Sequence, residues 1–154
     1  MIKLVASDLD GTLLHNYQQT VPKEIYDTIK ALHEKGIIFT AASGRQYANI
    51  RRLFAPLGFD IPYIAENGSM CVYKEEILAT GLTPSKTIRH ILDALMEYRK
   101  IYHTGHCILS VKDTYYSDST DERFIDYMEN DMHNIVTYVP DLYAIKEQIG
   151  RAHV

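Results

Sequence analysis

Ile2-Lys3-Leu4-Val5-Ala6-Ser7-Asp8-Leu9-Asp10-Gly11-Thr12-Leu13-Leu14 is the stretch whose reading decides the fold of this chain. The mostly apolar run 2–6 predicts a strand of the kind that suits a parallel sheet covered on both faces. It leads into two carboxylates spaced two apart, then a glycine. That spacing lets Asp8 and Asp10 point into one small volume. Close carboxylates do not stay charged and unpaired cheaply: a divalent cation sits between them, or one takes up a proton. Both options serve phosphoryl transfer, and a magnesium ion there would shield the charge of a phosphate from an attacking anionic oxygen. Gly11 allows a sharp turn and leaves backbone N–H groups facing an anion. In isolation an Asp-x-Asp-Gly run is equally a turn or an Asx cap. The strand before it and a matching loop further along favour a site.

Outward from this stretch, strand and helix signals alternate. Pro22 suits the first position of a helix with Ile25, Ile29 and Leu32 at helical spacing, and Gly36 stops it. Residues 37–42 read as a second strand, 45–54 as a second helix closed by 56–58, and 61–65 as a third strand. The order β-α-β-α-β implies parallel pairing with right-handed connections. Ligands of such sheets bind outside the carboxyl ends of the strands. The loops at Asp8-Leu9-Asp10-Gly11-Thr12, Ser43-Gly44-Arg45 and Glu66-Asn67-Gly68 therefore converge on one edge. Ser43 offers a hydroxyl and Gly44 an unobstructed N–H ahead of a helix N-terminus, a position that attracts phosphate.

The second half has a different pattern. Thr83 as cap and Pro84 at the first position predict a helix with Ile88, Ile91, Leu92, Leu95 and Met96 as its apolar stripe. Residues 107–111 and 114–117 read as a hairpin about Lys112-Asp113, 121–132 as a helix, 135–139 as a strand, and Pro140 as the start of a last helix. A boundary near Leu82 separates a first domain, 1–81, from a smaller α+β module, 82–148.

The motifs resemble those of the haloacid dehalogenase superfamily. Asp8-Leu9-Asp10-Gly11-Thr12-Leu13-Leu14 looks like its first motif. Thr40-Ala41-Ala42-Ser43-Gly44-Arg45 is similar to its second motif in the Cof-type branch, and Ile64-Ala65-Glu66-Asn67-Gly68-Ser69 to that branch's strand-three signature. The resemblance implies an α/β fold: an incomplete Rossmann-like parallel core and the beginning of an α+β cap, inserted after a hairpin at 70–79. It implies that Asp8 is a nucleophile forming an aspartyl-phosphate and a Mg2+ ligand. Asp10 would be the general acid and base, its backbone carbonyl also binding the metal. Ser43, Gly44 and the N–H of Leu9 would hold phosphoryl oxygens, with Arg45 adding charge or serving only the helix start. Asn67 and Gly68 are read as shaping their loop.

The family's later lysine motif and its acidic Gly-Asp loop have no counterpart; the chain holds no Gly-Asp pair. The expectation is an N-terminal fragment ending inside the cap, weakly active or inactive alone. Residues 149–154 match the translation of a common sequencing-library adapter and are read as a non-native tail.

Composition bounds the rest. The 154 residues are 46% hydrophobic and 23% charged, with a formal net charge of -4. At this length folding buries roughly 70% of the unfolded chain's surface. No basic excess is present for a nucleic-acid partner. No run reaches the length of a membrane helix, and a secretory signal pattern is absent, so a cytoplasmic location is expected. The two cysteines make no disulfide framework. Seven carboxylates over 113–131, interleaved with aromatics, read as a solvated face of folded structure. His103, His106 and Cys107 lack a fourth ligand for zinc and read as a loop entering a strand. The expected partner is a small-molecule phosphate ester. A Mg2+-dependent phosphatase of metabolites such as sugar phosphates is the leading function. A phosphomutase on the same scaffold, or a non-catalytic phosphate-binding or receiver-like protein, are the rivals.

Overall fold

In the computed structural model, residues 1–15, 18–146 and 149–153 are described. Residues 147 and 148 of the expected cap and Val154 of the expected tail lie outside them. The chain divides into two compact units, Met1–Thr80 and Gly81–Val154.

The first unit is built on a five-stranded sheet in the order β1-β2-β3-β4-β5. Its strands are β1 (Leu4–Asp8), β2 (Ile38–Ala42), β3 (Tyr63–Ala65), β4 (Met70–Tyr73) and β5 (Glu76–Thr80), with helices α1 (Lys23–Glu34) and α2 (Tyr47–Phe54) in the crossovers. β1, β2 and β3 pair parallel, and β4 and β5 extend the sheet antiparallel. Lys74 and Glu75 turn the β4–β5 hairpin with φ of 50° and 64°, the left-handed pair that matches strand twist. Gly36, at φ 70°, ends α1. Ile29 from α1 and Ile50, Leu53 and Phe54 from α2 bury against Phe39, Ala41, Tyr63 and Ala65 of the sheet. Trimming Phe54 to alanine would cost about 3–5 kcal/mol.

Several expectations shift in this unit. β1 begins two residues later than expected and carries Asp8 as its last residue, because its ladder with β2 runs from Leu4↔Ile38 to Asp8↔Ala42. It is not covered on both faces. As the edge strand it leaves Leu4 54% exposed, beside Ile38 at 48%. α2 starts at Tyr47 rather than 45, with Gln46 as its cap.

The second unit holds a four-stranded sheet in the order β8-β7-β6-β9. Its elements are α3 (Ser85–Tyr102), β6 (Ile108–Val111), β7 (Thr114–Ser117), α4 (Glu122–Asp126), β8 (Val136–Tyr138) and β9 (Arg151–His153). Ile88, Leu92 and Leu95 of α3 pack on Cys107, Leu109, Val111, Leu142 and Ile149. α4 is shorter than the expected helix and passes into a wider π turn at Tyr127–Asp131. The helix expected from Pro140 is one 3-10 turn, Leu142–Ala144, capped by Asp141. Pro84, not Thr83, caps α3; the Thr83 hydroxyl donates instead to the carbonyl of Gly150 at 2.9 Å. Arg151–His153, within the stretch read as a non-native tail, pairs antiparallel with β6.

Candidate active site

Sheet register brings the polar loops together. Asp8 is level with Ala42, and Ala42 with Ile64, so the first three strands end in one row at their carboxyl edge. Immediately beyond that row the backbone cross-links. The Ser43 N–H donates to the Ile64 carbonyl at 2.9 Å, the Asn67 N–H to the Ser43 carbonyl at 3.1 Å and the Glu66 N–H to the Arg45 carbonyl at 3.1 Å. The second and third loops are thus one hydrogen-bonded piece.

The first loop winds around a single acceptor. The Leu9 carbonyl receives the N–H groups of Thr12, Leu13 and Leu14 at 3.1, 2.9 and 2.8 Å, and Gly11, at φ 83°, donates to Leu14 at 2.7 Å. The Leu9 side chain is buried in the core, which anchors the loop while Asp8 and Asp10 on either side remain exposed. The Thr12 hydroxyl reaches Asp8 Oδ2 at 3.5 Å.

Arg45 joins this loop to the second. Its Nε donates to Asp10 Oδ2 at 2.9 Å and its Nη2 to Asp10 Oδ1 at 2.6 Å, a bidentate fork. Nη1 donates to Gln19 Oε1 at 3.1 Å and to Asn49 Oδ1 at 3.5 Å. The guanidinium, expected either to add charge at the phosphate or to serve only the helix start, is directed here onto Asp10. Asn49 and Gln19 were missed: Asn49 stands four residues after Arg45, a spacing that is a helical signal, whereas Gln19 lies in a loop with no pattern to expose it.

Ser43 is 6% exposed. Its Oγ accepts the Arg45 N–H at 3.2 Å, which leaves the hydroxyl proton to donate outward. Gly44 is exposed, and a Cβ there would lie 2.8 Å from Asn67 Oδ1.

A magnesium ion finds partial provision. Among the described residues no group of three or more His, Cys, Asp or Glu side chains is placed to hold a metal. Both carboxylate oxygens of Asp10 face Arg45. The donors suited to a hard cation are then the Asp8 carboxylate and the Asp10 backbone carbonyl, with water or substrate oxygens for the remaining positions.

The family model of haloacid dehalogenase-like hydrolases matches residues 5–152. The chain belongs to that family. Among haloacid dehalogenase-like relatives, phosphoglycolate phosphatase 1 of Saccharolobus solfataricus is 39% identical over 77 residues, 49% of this chain and 34% of that protein. The phosphoglycolate phosphatase of Staphylothermus marinus is 34% identical over 102 residues, 65% of this chain and 42% of that one. A crystal structure of a protein from Eubacterium rectale superposes with a TM-score of 0.78 at 25% identity, over 96% of this chain and 55% of its own. The matches span less than half the length of these curated relatives and about half of the solved structure.

In this haloacid dehalogenase-like chain the His103, His106, Cys107 run does other work. His103, at φ 53°, closes α3 through its N–H to Arg99. The His106 ring stacks on Phe124 and its Nδ1 meets Ser119 Oγ at 3.0 Å. Cys107 is 1% exposed, and burial pushes its thiol up to about 11. No helix of the described residues is long and apolar enough to cross a membrane.

Proposed function

We propose that this chain carries the catalytic aspartates of a Mg2+-dependent phosphatase that hydrolyses monoesters of small phosphorylated metabolites such as sugar phosphates. One observation carries the reading: Asp8 ends the strand beside the one that leads into Ser43 and Gly44, and Asp10, two residues on, is held by Arg45. The phosphoglycolate phosphatases among the relatives support a small phosphorylated substrate.

An oxygen of Asp8 attacks phosphorus, the ester P–O bond breaks, and the leaving oxygen takes a proton delivered through Asp10, one of whose carboxylate oxygens leaves the Arg45 fork to carry it. A water then gives its proton back to Asp10 and attacks the aspartyl-phosphate, releasing inorganic phosphate and the Asp8 carboxylate. The Ser43 hydroxyl and the N–H groups of Leu9 and Gly44 hold the phosphoryl oxygens while charge builds on them. Asp8 and the carbonyl of Asp10 would hold a magnesium ion, which would supply neutralisation of the negative charge at the reacting phosphate. Arg45 orients the carboxylate of Asp10 rather than the substrate.

Residues 82–148 belong, on this reading, to a cap that screens substrates. The two free cysteines suit a cytoplasmic location.

Fluoroberyllate, which mimics a phosphoryl group on a carboxylate, tests the nucleophile without requiring turnover. With Mg2+, the wild-type chain should give bound 19F resonances that disappear in Asp8→Asn and on chelation of the metal. Bound resonances that persist in Asp8→Asn, or none in the wild type, would refute the assignment.

A further inference from the structure

We propose that Asn67 is the positioning residue of the phosphate-binding loop: its backbone fixes the direction of the Gly44 N–H and its carboxamide fills the room beside Gly44. The inference rests on the phosphatase reading above and deepens it.

The argument begins with the Ser43–Gly44 peptide. The chain has no cis peptide bonds among its described residues. In a trans peptide the carbonyl and the N–H point in opposite directions within one plane. The Asn67 N–H holds the Ser43 carbonyl at 3.1 Å. Fixing that oxygen fixes the Gly44 N–H on the far side of the same plane. One residue earlier, the Glu66 N–H holds the Arg45 carbonyl at 3.1 Å. Gly44 is therefore gripped from both flanks by two consecutive residues.

Those two residues adopt an unusual backbone. Glu66 and Asn67 both have φ of 54°. The left-handed region strains most side chains, and asparagine tolerates it better than nearly all others. The strain fits a loop shaped for a task more than a simple connection.

The side chain adds the second contact. A Cβ on Gly44 would sit 2.8 Å from Asn67 Oδ1 and 3.3 Å from both its Cγ and Nδ2. The carboxamide occupies the space a side chain at position 44 would fill. Position 44 is thus small because the Asn67 carboxamide stands where a Cβ would go, and the φ of Gly44 lies outside the left-handed range. A neutral amide is also the right chemistry. An aspartate here has the same shape and would place a negative charge beside the phosphoryl oxygens.

The test follows the Gly44 amide by 1H–15N NMR as inorganic phosphate and Mg2+ are added to the full chain. In the wild type this resonance should move with phosphate. Asn67→Gly keeps the left-handed backbone open and removes the carboxamide. It should fold, with phosphate binding weakened about tenfold and the Gly44 shift reduced. Asn67→Asp should fold and bind more weakly still, with a loss that added salt diminishes. Gly44→Ala should lower the melting temperature, and Asn67→Gly added to it should restore melting but not phosphate affinity. If that double variant recovers both, or if Asn67→Gly binds phosphate as the wild type does, Asn67 only fills space and the inference is wrong. If the wild-type Gly44 amide ignores phosphate altogether, the functional reading of the loop falls first and takes the inference with it.

Discussion

Arg45 and Asp10 meet through two parallel hydrogen bonds, yet the arginine side chain is 5% exposed and the aspartate 49%. The partner that holds is inside and the partner that is held is at the rim. A buried guanidinium with its donors directed to Asp10, Gln19 and Asn49 cannot move without leaving polar groups unmatched. Arg45→Met should therefore destabilise the first unit by about 2 kcal/mol, less than for a fully buried pair because Asp10 is half in water. Urea unfolding reads this as a lower midpoint at unchanged slope. An unchanged midpoint would mean the fork does not persist in solution. Arg45→Lys keeps the charge and loses the fork, and should recover only part of the stability.

The two thiols should differ in reactivity. Cys107 is buried and its thiol is pushed up to about 11, first by desolvation and then by Asp118. At pH 8 only about one in a thousand such thiols is ionised. Iodoacetamide at that pH should modify the partly buried Cys71 and spare Cys107 until urea is added. Mass spectrometry of the two peptides settles the order, and equal labelling would contradict the packing around β6.

Acid should loosen α4 in a set way. Asp121 Oδ1 accepts the Arg123 N–H at 2.9 Å, and that bond first of all lowers the carboxyl below its ordinary 3.8. A group depressed in the folded state contributes stability above its unfolded value and loses it as pH falls through the folded one. The Arg123 amide signal should hence shift as pH falls, with a midpoint below 3.8. Asp121→Asn keeps a capping oxygen with nothing to titrate, and its Arg123 amide should not follow that transition. A wild-type midpoint above 3.8 would reverse the sign of the argument.

Thr83 ties the start of α3 to the stretch before β9. Its hydroxyl donates to the Gly150 carbonyl and its N–H to the Ile149 carbonyl, both at 2.9 Å. Thr83→Val removes the first bond and should cost about 1 kcal/mol, which speeds exchange of the Gly150 amide about fivefold. Exchange at the wild-type rate would show that the hydroxyl bond carries no weight.

Local and long-range information divide what sequence could reveal. The parallel core is legible because apolar runs and helical signals alternate, and of the stripe read in α1, Ile29 is buried with Ile25 and Leu32 packed partly buried beside the core. The arrival of Asp8, Ser43 and Asn67 at one edge follows from strand order, since each follows or ends a parallel strand or its neighbour. Arg45 was read correctly as part of the second loop but not as the partner of a residue 35 positions earlier, a contact no spacing encodes. Thr83 is not the cap because α3 begins at Ser85 with Pro84 before it, and the acceptor its hydroxyl finds lies 67 residues away. The helix expected from Pro140 shrank to one turn, in which Leu142 is the buried residue. The Asn67–Gly44 contact was hidden because the sequence shows a small residue without showing what takes the room beside it.

β1 is an edge strand, with Leu4 more than half exposed and partners on one flank only. Vibration in a ladder is damped from both sides in the middle of a sheet and from one side at its margin. Asp8 occupies the last rung of that marginal ladder. The group on which the proposed chemistry turns is thus carried by a strand paired on one flank only among the described residues. Anything that braces β1 from outside would sharpen the aim of Asp8 without touching it.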